Sequence, residues 1–276
     1  MRPALRTLLL AAALFGVQAP GEAAADSGHA LAVSVAKQGP RPAASARERR
    51  TQARVRRAFD AAGLRLGSDS FAVPGLGRSR NVVGIHDARA TCLHVLMAHA
   101  DTMPRTPGAQ DNASGLGVLV ALAPRLARIE PRCDVWLVAT GAEERNYTGR
   151  PDHLGATALV RRVAALGRRG DLRLALSLDE VGRGSRMRLR SPVPRQRRSV
   201  EREVIGAARG TGLAVRWQRD AGEGNSDHRE FELAGLPAAK LGVPDNPCRH
   251  EPCDTAGKLT ASTFPKVRRL LERLLR

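Results

Sequence analysis

A chain of 276 residues with 42% hydrophobic content can bury one large core, and it carries no internal repeat or coiled-coil heptad that would point to another architecture. The formal charge of +18 suggests nucleic acid at first, but four of the 45 basic residues are Lys and 41 are Arg, spread along the whole chain. One Tyr, two Trp and five Phe leave little for base stacking and no nucleic-acid module pattern appears, so the basic run 183–202 reads as a solvated face with at most weak attraction to anionic surfaces.

The first 25 residues combine Arg2 and Arg6, an apolar run from Leu8 to Val17, and Ala23 to Ala25 ahead of Asp26. This is the pattern of an export signal; the run is far short of the ~20 apolar residues a spanning helix needs. No later segment is long and apolar enough to span a membrane, so the chain reads as exported, periplasmic or secreted, where disulfides are permitted. Residues 26–44, rich in Ala, Ser, Gly and Pro, read as a flexible leader, and residues 44–64 have helical spacing with a glycine stop. The folded domain is expected over 45–276.

Strands and helices then alternate. Strands are expected at 81–85, 91–98, 134–140, 172–178, 213–218 and 238–243, with helices near 114–128, 155–167, 199–209, 227–234 and from 265. The alternation predicts one α/β domain, a three-layer αβα sandwich around a mixed, mostly parallel sheet.

In such sheets the ligand site lies beyond the carboxyl ends of the strands, so the residues just past each strand are the informative ones. His99 and Asp101 come after the second strand; Glu143 and Glu144 after the third; Asp179 after the fourth; His250 and Asp254 lie in the loop after the last. Asp111, opening the helix near 114, reaches the same edge. Taken singly, Asp111 is a helix cap, a histidine at a strand end is a hydrogen-bonded structural residue, and Glu143 and Glu144 are solvated loop acids. Independent caps have no reason to collect two histidines and three carboxylates on one rim, and imidazole nitrogen with carboxylate oxygen suits zinc or another divalent transition metal.

Six motifs, AHAD (98–101), GAQDNASG (108–115), GAEE (141–144), SLDEVG (177–182), SDHREF (226–231) and HEPCDT (250–255), occur in an order that resembles the zinc-dependent aminopeptidases of peptidase family M28. The resemblance covers the chain from about Asn81 to its end. It implies two zinc ions, one held by His99 and Asp179, the other by Glu144 and His250, with Asp111 bridging them. Glu143 would be the general base acting on a metal-activated water, and Asp101 would orient His99 from behind. The substrates it implies are peptides with a free amino terminus. A departure is Glu180, which stands where an apolar residue is common in the family; another is the stretch from Arg145 to Val160, where members usually have a tighter turn. Asp227 and His228 match a motif without matching a ligand and read as support near the site. His94 reads as a core residue, and His29, His86 and His153 carry no argument.

Four cysteines allow three connectivities. Cys248 and Cys253 are close enough to pin the His250 loop, Cys92 and Cys133 begin two neighbouring strands, and a thiolate zinc site at CRHEPC is the rival reading. Two other functions compete with the aminopeptidase: a glutaminyl-peptide cyclotransferase of the same fold with a single zinc, and a cationic binding protein with a vestigial site.

Overall fold

The computed structural model describes residues 21–144 and 152–276. The signal-peptide expectation falls mostly outside them, as do residues 145–151 of the longer stretch after Glu144. Eight strands form one sheet: β1 (Arg65–Val73), β2 (Gly77–His86), β3 (Leu93–His99), β4 (Asp134–Thr140), β5 (Leu172–Leu178), β6 (Arg186–Ser191), β7 (Ala214–Arg219) and β8 (Ala238–Gly242), in the order β1-β2-β4-β3-β5-β8-β6-β7. The four central strands, β4, β3, β5 and β8, are mutually parallel. The β1–β2 hairpin pairs antiparallel on one side, while on the other β6 runs antiparallel to β8 and parallel to β7. Central strands buried on both faces explain the near-continuous apolar runs LHVLMAH and DVWLVAT.

Helices α1 (Gly21–Ala36), α2 (Ala46–Ala61), α3 (Ser114–Leu122), α4 (Leu126–Ile129), α5 (Leu154–Ala165), α6 (Glu203–Ala208), α7 (His228–Leu233) and α8 (Thr263–Leu275) cover the two faces. One face packs Leu96, Leu137, Leu176 and Leu189 against Phe59, Leu119, Phe264 and Leu270, which belong to α2, α3 and α8. The other packs Val95, Met97, Trp136 and Val138 against Leu159 and Val163 of α5 and Phe231 of α7. Each fully buried side chain of this size contributes about 1.5–3 kcal/mol. The expected single helix over 114–128 is interrupted by a 3-10 turn at Ala123–Arg125, because Pro124 has no N–H to continue the ladder.

Three expectations are corrected. Residues 26–44 are not a flexible leader: α1 packs along α3, with Leu31, Ala32 and Val35 buried. The small residues that suggest flexibility instead permit close approach, since a Cβ on Gly28 would lie 2.7 Å from Gly117 O. Strand β1, whose polar RLGSDS start hides it, is an addition to the expected set. So is β6, which lies inside the basic run; its Met187, Leu189 and Ser191 alternate into the core between outward arginines.

Candidate metal centre

Each site residue lies at or just beyond the carboxyl end of a parallel strand or in a loop folded back over it. His99 ends β3, the GAEE turn comes after β4, Asp179 after β5, and His250 lies in the loop after β8. Asp111 sits in the tight turn Ala109–Ala113 that feeds α3, beside the cis peptide bond Asp111–Asn112. Its two carboxylate oxygens face different histidines: Oδ1 is 3.0 Å from His99 Nε2 and Oδ2 is 3.4 Å from His250 Nε2. Asp179 Oδ1 is 3.6 Å from His99 Nε2, and Glu144 Oε2 is 3.2 Å from His250 Nε2. The structure therefore brings all five expected ligands together.

The donor set fits a bound cation. His99 Nδ1 donates to the Asp101 carbonyl at 3.2 Å, so in its neutral form the ring would turn the lone pair of Nε2 towards carboxylate oxygens. Two electron-rich atoms at that distance repel unless a proton or a metal lies between them. Asp179 Oδ1 is buried without a hydrogen-bond partner, an arrangement disfavoured without a ligand. One ligand atom each from His99, Asp111 and Glu144 fall within 4.8 Å of one another.

Protons take the cation's place when none is bound. Hydrogen bonds to Asp111 and Glu144 raise His250 to about 10. Burial, with the nearby Asp111 charge, raises Glu144 to about 8. Burial opposes the charge on His99, yet Glu143, Asp101, Asp111 and Asp179 together hold it well above the ordinary histidine range.

Glu143 Oε1 is 3.3 Å from His153 Nε2, and a carboxylate oxygen of Glu143 also lies within 4.8 Å of ligand atoms of His99 and Asp179. The other ring nitrogen of His153 is 3.3 Å from Glu230 Oε1, so this buried imidazole spans two carboxylates. Burial opposes its charge, but Glu143 and Glu230 raise it to about 10. Glu230 and Asp152 are in turn neutralised by Arg229, at 3.3 and 2.7 Å.

Segments distant in sequence hold the site. Asp101 accepts the backbone N–H groups of Glu143 and Glu144, each at 3.1 Å, while its carboxylate is 3.7 Å from His99 Nδ1. Its principal grip is thus on the glutamate turn, and its hold on His99 runs through its carbonyl. Ala142 in that turn has φ 51°, a conformation that costs a non-glycine residue about 1–3 kcal/mol. The turn is held by Glu48, which accepts the Ala142 N–H at 3.2 Å and the Ser79 hydroxyl at 2.6 Å. Glu48 also accepts the Ala44 N–H, and Ser45 accepts the Glu48 N–H, so the cap that starts α2 is also the brace of the glutamate turn. Gly155 at the start of α5 lies against Gly141; a Cβ there would meet Gly141 O at 2.4 Å.

Arg41, fully buried, donates to the carbonyls of Ala100, Pro107 and Gly108 and so clamps the loop between His99 and Asp111. Asp254 accepts the N–H groups of Gln110 and Asp111 at 2.8 and 2.9 Å, joining the His250 loop to the bridging aspartate. That loop is closed by the Cys248–Cys253 disulfide; Cys92–Cys133 ties the starts of β3 and β4. With all four cysteines paired, a thiolate metal site is excluded.

Asp227 accepts the Thr140 hydroxyl at 2.5 Å and His228 pairs with Asp220 at 2.8 Å, both buried beneath the site. Sequence reasoning missed His153, Lys240, Arg41 and Glu48. Lys240 Nζ lies 2.7 Å from Asp179 Oδ2 and 3.7 Å from Glu180 Oε2, so the unexpected acid at 180 has a buried partner. A lysine inside an otherwise apolar strand was the available signal. His94 is buried in β3 as expected. Above the centre opens a cleft of about 330 Å³ lined by Met103, Glu143, Glu144, His153, Asn225 and the Arg249–His250 pair.

The sequence pattern described as Peptidase family M28 matches residues 81–275. The alkaline phosphatase isozyme conversion protein of Escherichia coli (strain K12) is 29% identical over 151 residues, 49% of this chain and 42% of that protein. The chain thus spans less than half the length of this curated relative. Among solved structures, a zinc aminopeptidase from Bacillus subtilis superposes with a TM-score of 0.77 at 15% identity, over 91% of this chain and 94% of that one. A glutaminyl cyclase from Bacteroides thetaiotaomicron superposes with a TM-score of 0.76 at 20% identity, over 91% and 97%. At these identities the superpositions establish a shared fold.

Proposed function

The chain belongs to peptidase family M28, and from that membership we propose that it is a zinc-dependent aminopeptidase, exported, acting on peptides with a free amino terminus. The observation that carries the dinuclear reading is the split carboxylate of Asp111, one oxygen towards His99 and the other towards His250. His99 and Asp179 would hold one zinc and Glu144 and His250 the other, with Asp111 between them.

Bound there, the metal pair supplies Lewis-acid activation of water and of the scissile carbonyl. The protein's own work is proton transfer. Glu143, buried at the cleft wall and anchored by His153, takes a proton from the attacking water and delivers it to the leaving amine. Oxygen and its remaining hydrogen join the acyl carbon, so the products are a free amino acid and a shortened peptide. Asp101 keeps the base and its neighbouring ligand in register by gripping both backbone N–H groups.

Export is part of the reading: two disulfides are compatible with an oxidising compartment, and no described helix is long and apolar enough to cross a membrane.

One observation favours a second reading, the single-zinc glutaminyl cyclase. Lys240 engages Asp179 Oδ2, leaving that aspartate one oxygen for a metal. Elemental analysis of the purified chain, with hydrolysis of a panel of aminoacyl chromogenic amides before and after chelation, separates the two. About two zinc per chain with chelator-sensitive release of the chromophore supports the aminopeptidase. One zinc, no release, and ring closure of an amino-terminal glutamine peptide would replace it with the cyclase.

A further inference from the structure

The outward face of β6 and β7 carries a basic strip. With Met187, Leu189 and Ser191 turned into the core, Arg186, Arg188 and Arg190 lie on the opposite face. Parallel register sets Arg188 beside Arg216 and Arg190 beside Gln218. One strand further in, Arg190 pairs with Lys240 across the antiparallel β8 ladder. Compensation stops at Lys240, which is buried against Asp179 and Glu180. Among the described residues, Arg186, Arg188, Arg190 and Arg216 form no ion pair, and Arg190 Nε is buried without a hydrogen-bond partner. Arginines arrayed without counter-charge repel one another and attract anions, most strongly in a concave, partly desolvated setting.

This strip adjoins the catalytic cleft. A concavity of about 230 Å³ on the same face is bounded by Arg190, Gln218, Asp220, Ala221, Gly224 and Asn225. Asn225 also lines the cleft that holds Glu143 and His250, so the two depressions share a wall. The one carboxylate in the smaller depression, Asp220, is committed to His228 at 2.8 Å.

An enzyme that removes the first residue of a peptide must lead the remainder out of the cleft on the leaving-group side. We propose that the downstream chain leaves past Asn225 and that Arg188, Arg190 and Arg216 recognise acidic residues in it, making this an aminopeptidase selective for peptides with an acidic stretch beyond the scissile bond. The inference rests on the aminopeptidase reading and adds its substrate class.

The test compares zinc-loaded enzyme on leucyl-alanyl peptides that continue as three glutamates, three glutamines or three lysines, with a leucyl chromogenic amide that has no downstream residues. The glutamate peptide should exceed the glutamine peptide in kcat/KM by about 3- to 30-fold, the effect of two or three exposed charge pairs, with the difference in KM and fading as salt rises. The variant R188Q/R190Q/R216Q should bring the glutamate-to-glutamine ratio near one, and R216Q alone, at an exposed position, should lower it part of the way. The variant R50Q/R56Q/R57Q removes the same charge from the distant helix α2 and should leave the ratio intact. An unchanged ratio in the β6–β7 variants, or an equal loss in the α2 variant, would overturn the proposal and leave only a diffuse field. Failure of the unmodified enzyme to hydrolyse every member of the aminoacyl amide panel would instead remove the aminopeptidase reading, and this inference with it; a preference within the panel replaces leucine at the head of the test peptides.

Discussion

Glu143 and His153 meet at 3.3 Å across the wall of the cleft, although seven residues outside the described structure separate Glu144 from Asp152. Glu143 thereby has a partner of its own, independent of the metal ligands beside it. Replacing Glu143 by Gln keeps the shape of the side chain and removes the proposed base. Metal content should stay near two per chain while kcat falls by about 10²- to 10⁴-fold, the usual share of general acid–base catalysis. Elemental analysis and steady-state kinetics on one preparation check both halves; retained turnover removes Glu143 from the role.

His153 should act through Glu143. In His153→Ala the base loses its anchor and Glu230 loses one of its partners, so kcat should drop about tenfold with little change in KM. His153→Gln, which retains a donor, should recover part of the loss. A change confined to KM would make His153 a substrate contact.

Metal uptake should release protons. Because His250 is raised to about 10 in the cation-free site, it is protonated at pH 7 and must lose that proton to ligate. Glu144, raised to about 8, adds to the release. The apparent zinc affinity should therefore weaken as pH falls through about 10, and more steeply below about 8. Calorimetry in buffers of different ionisation enthalpy measures the proton count; a count of zero at pH 7 contradicts the geometry.

Arg41→Ala strips buried donors from three carbonyls in the loop between His99 and Asp111. Each carbonyl left unsatisfied costs about 1–3 kcal/mol, reduced where water can enter. The expected result is a lower thermal midpoint and weaker metal retention in dialysis against a mild chelator. Removing the residues before Ser45 should do the same, which a true flexible leader would not.

Opening the Cys248–Cys253 bridge frees the six-residue loop on which His250 sits at φ 60°. Cys248→Ser with Cys253→Ser should weaken zinc binding more than it lowers global stability, since Asp254 still ties the loop to Asp111. Unfolding curves and metal titrations on the same variant separate the two effects.

The central strands and the convergence of His99, Asp111, Glu144, Asp179 and His250 were legible because a parallel sheet buried on both faces writes itself as apolar runs, and the residues just past each run land on one rim. Strands β1 and β6 were not, because each is exposed along one face and carries polar or arginine side chains there. Helix α1 was hidden by composition: Ala and Gly look featureless until another helix lies close enough to need them. His153, Lys240, Arg41 and Glu48 escaped notice because each matters only through a partner at least ten residues away. Lys240 faces Asp179 across 61 positions and Glu48 faces Ala142 across 94, distances no local pattern records.

The braces of the glutamate turn also bear on when the centre can assemble. Glu48 supports Ala142, Arg41 grips Gly108, and Asp254 holds Asp111, so the cleft is stitched from the first and last stretches of the described chain. Synthesis delivers Glu48 and Asp254 about two hundred residues apart. A nascent or still-unfolded chain therefore has its glutamates and histidines but no assembled centre until these distant segments have docked.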